Sequence, residues 1–246
     1  ETDAQCHQPQ GNRRRQGQGN QQNLLDEKSH VYEVENPEKL NEILGQRYHA
    51  VVGNPPYPTV KDKSLNSAYR NKYLTCFRKY SLGVPFTERF FDLTLWPEGN
   101  KPAGFMGMIT ANSFMKREFG KKLIEEYLPK KDLTHVIDTS GAYIPGHGTP
   151  TVILFARNQA PKADQIQAVL GIRGEPGVPD IPSQGKVWSS IVGLLPKQNA
   201  ESEYVSVVTQ DRLAYSSHPW SLGGGGASDL KDMLDYSGSA LATVID

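Results

Sequence analysis

The stretch Tyr48-His-Ala-Val-Val-Gly-Asn-Pro-Pro-Tyr57 decides how the rest of the chain is read. Tyr48 to Gly53 is a short apolar run stopped by two prolines, so it reads as a buried strand ending at a rigid turn. In an open α/β sheet, ligands sit beyond the carboxyl ends of the strands. Pro55 and Pro56 fix φ there and so fix the carbonyl directions. The Asn54 side-chain oxygen and the Pro55 carbonyl can both face a cleft as acceptors, and Tyr57 offers a flat ring beside them. Two acceptors and a stacking platform suit an exocyclic amine on a planar base, because they hold the amine and accept positive charge as it develops. No strong general base is needed. The same four residues also fit the amide nitrogen of a protein glutamine or a base in RNA. A plain Pro-Pro turn with Asn54 as a local cap is the structural alternative.

Outward from this turn the signals alternate. Residues 87–95 read as a helix with Phe90, Phe91 and Leu95 on one side. Gly104 to Thr110 is a second buried strand. Residues 113–128 read as the clearest helix, with Met115, Phe119, Leu123, Ile124, Tyr127 and Leu128 at helical spacing and Pro129 as the stop. Asn112 either lines the cleft or, with Ser113, caps this helix. Leu133 to Asp138 and Thr151 to Ala156 are two more strands, joined by a Gly- and Pro-rich loop over 141–150. Strands alternating with helices predict an α/β fold with a largely parallel, doubly wound sheet, and the short last link permits one antiparallel pair. His147 stands alone between two glycines, and no metal site is expected. Trp188 and Trp220 read as packing residues. Beyond Gln159 the pattern changes to a Gly- and Pro-rich linker over 171–186, a glycine run at 223–226 and the start of a helix at 230–234.

The 246 residues carry 27 basic and 27 acidic side chains, which argues against a uniformly basic nucleic-acid-binding domain. The charge is unevenly spread: residues 61–131 have a net charge of +7 and the remainder −7. Over 61–80, Lys61, Lys63, Arg70, Lys72, Arg78 and Lys79 oppose only Asp62, with Tyr69, Tyr73, Phe77 and Tyr80 interleaved. That mixture suits a nucleic-acid backbone and unstacked bases, or equally a solvated helix whose aromatics face the core. Residues 1–23 hold seven Gln and almost nothing apolar, so they read as a disordered tail. Cys6 and Cys76 cannot build a disulfide framework, which points to a reducing, cytoplasmic setting. No run approaches the length of a membrane span.

The motif also carries a resemblance. Asn54-Pro-Pro-Tyr57 after an apolar strand resembles the catalytic motif of N6-adenine DNA methyltransferases. Gly45 to Tyr57, Ser81 to Asp92, Ile109 to Gly120 and His135 to Pro150 resemble the methyltransferases of BREX and phage-growth-limitation systems. The resemblance implies a class I, Rossmann-like methyltransferase fold, S-adenosylmethionine as donor, and duplex DNA with the target adenine flipped out. It further implies a role in phage defence, with other defence proteins as possible partners. Asn54, Pro55 and Tyr57 match the amine-binding and base-stacking positions, and Pro56 supplies rigidity. Related enzymes place a second aromatic in the loop before the last strand, where Tyr143 stands with Ile144 as the alternative.

The family places a Gly-rich donor-binding turn upstream of this motif, and only 53 residues precede Asn54 here. Gly17-Gln-Gly19 lacks a preceding strand. Glu33 or Glu35, near a possible strand at 30–34, would border the donor's adenine. The chain is therefore expected to be an internal piece or truncated frame of a longer enzyme. On that expectation residues 1–23 form the tail, 24–160 the C-terminal half of the methyltransferase sheet, and 161–246 a linker and the start of a target-recognition region. Such a chain alone would bind S-adenosylmethionine weakly or not at all, and could survive as an inactive DNA- or partner-binding remnant.

Overall fold

The computed structural model describes residues 36–146, 148–226 and 233. The expected tail, the possible strand at 30–34 with Glu33 and Glu35, and His147 lie outside them. Contacts divide the chain into two units, residues 1–46 and 47–246. In the first, helix α1 (Pro37–Gly45) begins at Asn36, whose side-chain oxygen accepts from Glu38 N (3.0 Å) and Lys39 N (3.2 Å), with Pro37 at the first helical position.

The second unit is built on one open sheet. Its strands are β1 (Ala50–Gly53), β2 (Phe105–Ala111), β3 (Asp132–Asp138), β4 (Thr151–Arg157), β5 (Gln165–Gly171), β6 (Ala200–Glu201) and β7 (Val205–Asp211), in the order β1-β2-β4-β3-β5-β7-β6. β1 with β2 and β3 with β5 are parallel pairs, and the other four pairs are antiparallel. The sheet is thus mixed rather than largely parallel, because β4 inserts between β2 and β3 running the opposite way. The antiparallel pairing of β3 with β4 is the one the short link permits. Between β1 and β2 the chain forms helices α2 (Lys63–Lys72) and α3 (Gly83–Leu93).

Three expectations are corrected. Among the described residues β1 is an edge strand rather than a buried one, and Val52 is 78% exposed. Only one side of it is hydrogen-bonded, to β2, among the described residues. Residues 113–128 do not form one α-helix. The chain winds through 3-10 turns at Asn112–Met115, Glu118–Gly120 and Leu128–Lys130 and a π turn at Leu123–Tyr127. The apolar spacing is right, since Met115, Phe119, Leu123, Ile124 and Leu128 are buried. The backbone is broken because Arg117 is extended and Gly120 packs onto the preceding turn, where a Cβ would lie 1.8 Å from the Phe114 carbonyl oxygen. Nor does the sheet stop at Ala156. Residues 165–211, expected to lie beyond it, supply β5, β6 and β7 and helix α4 (Lys186–Leu194).

The main core fills one face of the sheet, where Met106, Met108, Val136, Leu154 and Ala168 meet Val84 and Phe91 of α3 and the irregular segment after β2. On the other face Val187 and Ile191 of α4 pack against Ile137, Val169, Val205 and Val207. That second cover does not reach the β1 side, where Val52 and Phe105 (55%) stay exposed. Among the described residues no helix is long and apolar enough to cross a membrane.

His135 on β3 gives a pH signature. Its ring meets Phe155 edge-on at 6.0 Å, and burial lowers its pKa, against a hydrogen bond to Gln167 that raises it. The unfolded chain takes up a proton below about 6.5 that the fold resists, so this group removes stability as pH falls through that value. His135→Phe is expected to flatten part of the loss in melting temperature between pH 7 and pH 5.

Candidate active site

The parallel strands β1, β2, β3 and β5 all end at the same edge of the sheet, and the turn Asn54-Pro55-Pro56-Tyr57 stands at the end of β1. Two features seat it. Phe90 of α3 closes on Gly53, where a Cβ would lie 2.8 Å from the ring. After the turn, Leu82 N donates to Pro58 O (3.0 Å) and Thr59 bridges Ser81, so the chain is anchored on both sides. Pro55 is buried, Asn54 and Pro56 are exposed, and Tyr57 is half-buried.

Tyr57 OH donates to Asn54 Oδ1 at 2.6 Å. An amide oxygen has two acceptor sites, so the bond orients the Asn54 oxygen and leaves it capacity for a second donor. Burial holds the Tyr57 hydroxyl above its usual range, against the lowering effect of Asn54. It therefore remains a donor through neutral pH. Tyr57→Phe keeps the ring and removes this orienting bond. The expected result is a loss of roughly threefold to tenfold in binding of an amine-bearing base, worth about 0.5–1.5 kcal/mol, measured by calorimetry. Tyr57→Ala is expected to lose more.

The loop between β3 and β4 carries Tyr143. It is pinned by Thr139 N donating to Thr151 O (3.1 Å) and by Ser140 N donating to Asp138 Oδ1 (2.8 Å). Tyr143 and Ile144 both line a cavity of about 260 Å³, with Ile109 of β2, Ile153 of β4 and Trp188 of α4 among the other walls. Asn112 is half-buried and gives its backbone N–H to Pro150 O (3.0 Å). It neither caps the following turn through its side chain nor lines this cavity.

The basic segment resolves into two roles. Tyr69, Tyr73 and Tyr80 pack into or against the main core, whereas Phe77 lies under the cations of Arg78 and Lys122. All six basic side chains are exposed. Arg78 pairs with Glu118 (2.7 Å), and Arg70 bonds Asn66 Oδ1 (2.7 Å) and the Arg78 carbonyl. Lys61, Lys63, Lys72 and Lys79 form no ion pair among the described residues.

Two residues that sequence reasoning passed over tie this region together. Glu88 of α3, itself buried, accepts from Thr75 N (2.6 Å) and Leu74 N (3.3 Å) and holds the link between α2 and α3. Glu175 accepts from Lys186 N (2.8 Å) and Val187 N (2.9 Å) at the start of α4. Neither has a local sequence signature, since each partner lies more than ten residues away. Glu35 lies outside the described residues. Among the described residues the Gly-rich loop after β3 runs into strand β4 rather than into a helix whose N-terminus could face a donor, so this loop does not fit S-adenosylmethionine.

Residues 3–144 match the Eco57I restriction-modification methylase family. Over 216 residues the chain is 50% identical to the adenine-specific methyltransferase PglX of Streptomyces coelicolor, covering 86% of this chain and 17% of that protein. It is 29% identical over 119 residues to the type II methyltransferase M.PaeR7I of Pseudomonas aeruginosa, covering 46% of this chain and 20% of that one. The chain thus spans a fifth or less of these relatives. Its fold resembles a modification subunit of a putative type I restriction enzyme from Vibrio vulnificus, with a TM-score of 0.53 at 12% identity over 77% of this chain and 40% of that one. The open mixed α/β sheet is the fold shared with that modification subunit, and the chain belongs to the Eco57I restriction-modification methylase family.

Proposed function

We propose that this chain forms the acceptor side of an adenine-specific DNA methyltransferase that uses S-adenosylmethionine. The observation that carries this reading is the Asn54-Pro55-Pro56-Tyr57 turn at the carboxyl end of β1, with Asn54 Oδ1 oriented by Tyr57 at 2.6 Å. A flipped adenine gives one amine hydrogen to Asn54 Oδ1 and the other to the Pro55 carbonyl, and stacks on Tyr57. Drawing both hydrogens toward acceptors raises electron density on N6, and the same acceptors stabilise positive charge as the nitrogen gains a methyl group. The donor, when bound, would supply the methyl group from its sulfonium and keep the bond's electron pair as a thioether, and the proton lost from the amine would pass to solvent water. Lys61, Lys63, Lys72 and Lys79 hold the DNA backbone. The name of the 50%-identical relative supports adenine as the target, and marking DNA in phage defence is the role that fits the resemblance.

A second reading, binding without catalysis, draws on the exposed Lys61, Lys63, Lys72 and Lys79, which form no ion pair among the described residues and could hold DNA without a methyl donor. One experiment separates the two. The matching segment of the Streptomyces coelicolor relative is replaced by this chain, and the chimera is given DNA and S-adenosylmethionine with a labelled methyl group. Label recovered on N6-methyladenine supports the first reading. A folded chimera that binds DNA and transfers no label to adenine supports the second.

A further inference from the structure

The cavity beside the motif has an aromatic wall that the motif does not contain. We propose that Trp188, on α4, contacts the substrate base: the planar heterocycle whose amine meets Asn54 extends over Ile109 and packs against the indole. This rests on the reading of Asn54 given above.

Strand register places the two together. Gly53 pairs with Met108, so Ile109, one step further along β2, stands level with Asn54. Ile109 in turn pairs with Ile153 of β4. Adjacent strands are about 4.8 Å apart, so the cavity floor begins roughly one strand from Asn54. Ile109 and Ile153 also share a face. A Cβ on Gly107 would touch Phe155 (3.0 Å) and Val52 (3.6 Å), which puts Val52, Gly107 and Phe155 on one side of the sheet. Ile109 and Ile153 each lie two residues from one of these along a strand and so share that face, and Asn54 is the first residue past the end of β1.

The cavity itself fits a single base. Its volume of about 260 Å³ is near the lower bound of about 300 Å³ for small-molecule pockets. Its lining holds no charged side chain, and its polar groups are the hydroxyls of Thr139, Tyr143 and Ser183 and the Trp188 indole N–H, which favours a stacked ring over a charged group. Tyr143 and Trp188 supply the ring faces. One residue couples them: Glu175 caps α4 through Lys186 N and Val187 N, and its own N–H donates to Gly141 O (2.8 Å) in the loop that carries Tyr143. Gly141 permits this approach, since a Cβ there would lie 3.1 Å from Gly174 Cα. Val187 and Ile191 anchor α4 in the core, while Trp188 is half-buried. The indole packs against this core on one side and lines the cavity on the other, so it can meet a ligand while helping to seat the helix.

The test is calorimetric titration of this chain with adenosine, for wild type, Trp188→Leu, Trp188→Phe and Asn54→Ala, with melting curves to confirm folding. Trp188→Leu is expected to weaken binding about tenfold or more, the scale of one base–aromatic stack, and Trp188→Phe to restore most of it. Saturation transfer from the indole protons to the adenine protons of bound ligand is expected in wild type, whatever the variants do. Unchanged binding in Trp188→Leu, or no such transfer to bound adenosine, with Asn54→Ala still weakened, overturns the role of Trp188 and leaves the Asn54 reading standing. Absence of adenosine binding, or binding unaffected by Asn54→Ala, overturns the Asn54 reading and this proposal with it.

Discussion

Asn54→Ala lowers methyl transfer by the chimera on the order of 10²–10³-fold, the cost of deleting one preorganised group aimed at developing charge. The Asn54 oxygen is oriented before substrate arrives, by the 2.6 Å bond from Tyr57, so no reorganisation is required as charge builds on the amine. Alanine removes this acceptor and leaves the Pro55 carbonyl alone. It leaves the turn itself intact, because Pro55 and Pro56 fix the backbone and the anchors at Pro58 and Thr59 do not involve Asn54. DNA affinity is therefore expected to stay within about twofold, since the exposed lysines are untouched. Label incorporation and DNA binding measured on the same preparation check both halves. Activity within tenfold of wild type removes Asn54 from the mechanism.

The largest expected effect on stability lies at the opposite edge of the sheet. Lys131 is buried, and its Nζ sits 2.7 Å from Asn158 Oδ1 and 4.3 Å from the Trp96 ring centre, with Phe91 and Tyr127 completing the cage. Burial lowers its pKa, with Arg47 adding to this and Asp92 and Glu88 opposing it. Asn158 also donates to Phe91 O (2.9 Å) and Thr94 O (3.1 Å), closing the end of α3. Asn158→Ala strands a buried ammonium and the Thr94 carbonyl, while the Phe91 carbonyl keeps its bonds from Thr94 N (3.1 Å) and Thr94 Oγ1 (2.8 Å), and it is expected to cost about 3–5 kcal/mol in denaturant unfolding. Lys131→Met removes the charge together with its desolvation cost, so it should cost clearly less. Equal losses in the two variants would show that the cage acts by packing alone.

β2, β3 and β4 were legible because each is an apolar run between turn residues, and the turn at Asn54 because two prolines leave little conformational choice. What escaped was set by distant contacts. The apolar spacing over 113–128 correctly marks the buried side chains, yet Gly120 pressed on the Phe114 backbone breaks the helix that the spacing suggests. The exposure of β1 depends on its place at the edge of the sheet, which its own residues do not encode. β5 was obscured by Gln165 and Gln167, whose polarity fits a strand end and a bond from Gln167 Nε2 to Leu195 O (2.7 Å). Of the candidate site, Asn54, Tyr57 and Tyr143 could be named as candidates from the sequence. Glu175 and Trp188 could not, since their importance comes from a loop and a helix brought together across the sheet.

The central claim is that Asn54 and the Pro55 carbonyl accept the two hydrogens of an exocyclic amine. Calorimetry with adenosine and with N6,N6-dimethyladenosine tests it most directly, because the second ligand keeps the ring and lacks both amine hydrogens. Adenosine is expected to bind wild type at least tenfold more tightly than the dimethylated nucleoside, and Asn54→Ala to reduce that preference substantially. Equal binding of the two nucleosides by wild type would contradict the account.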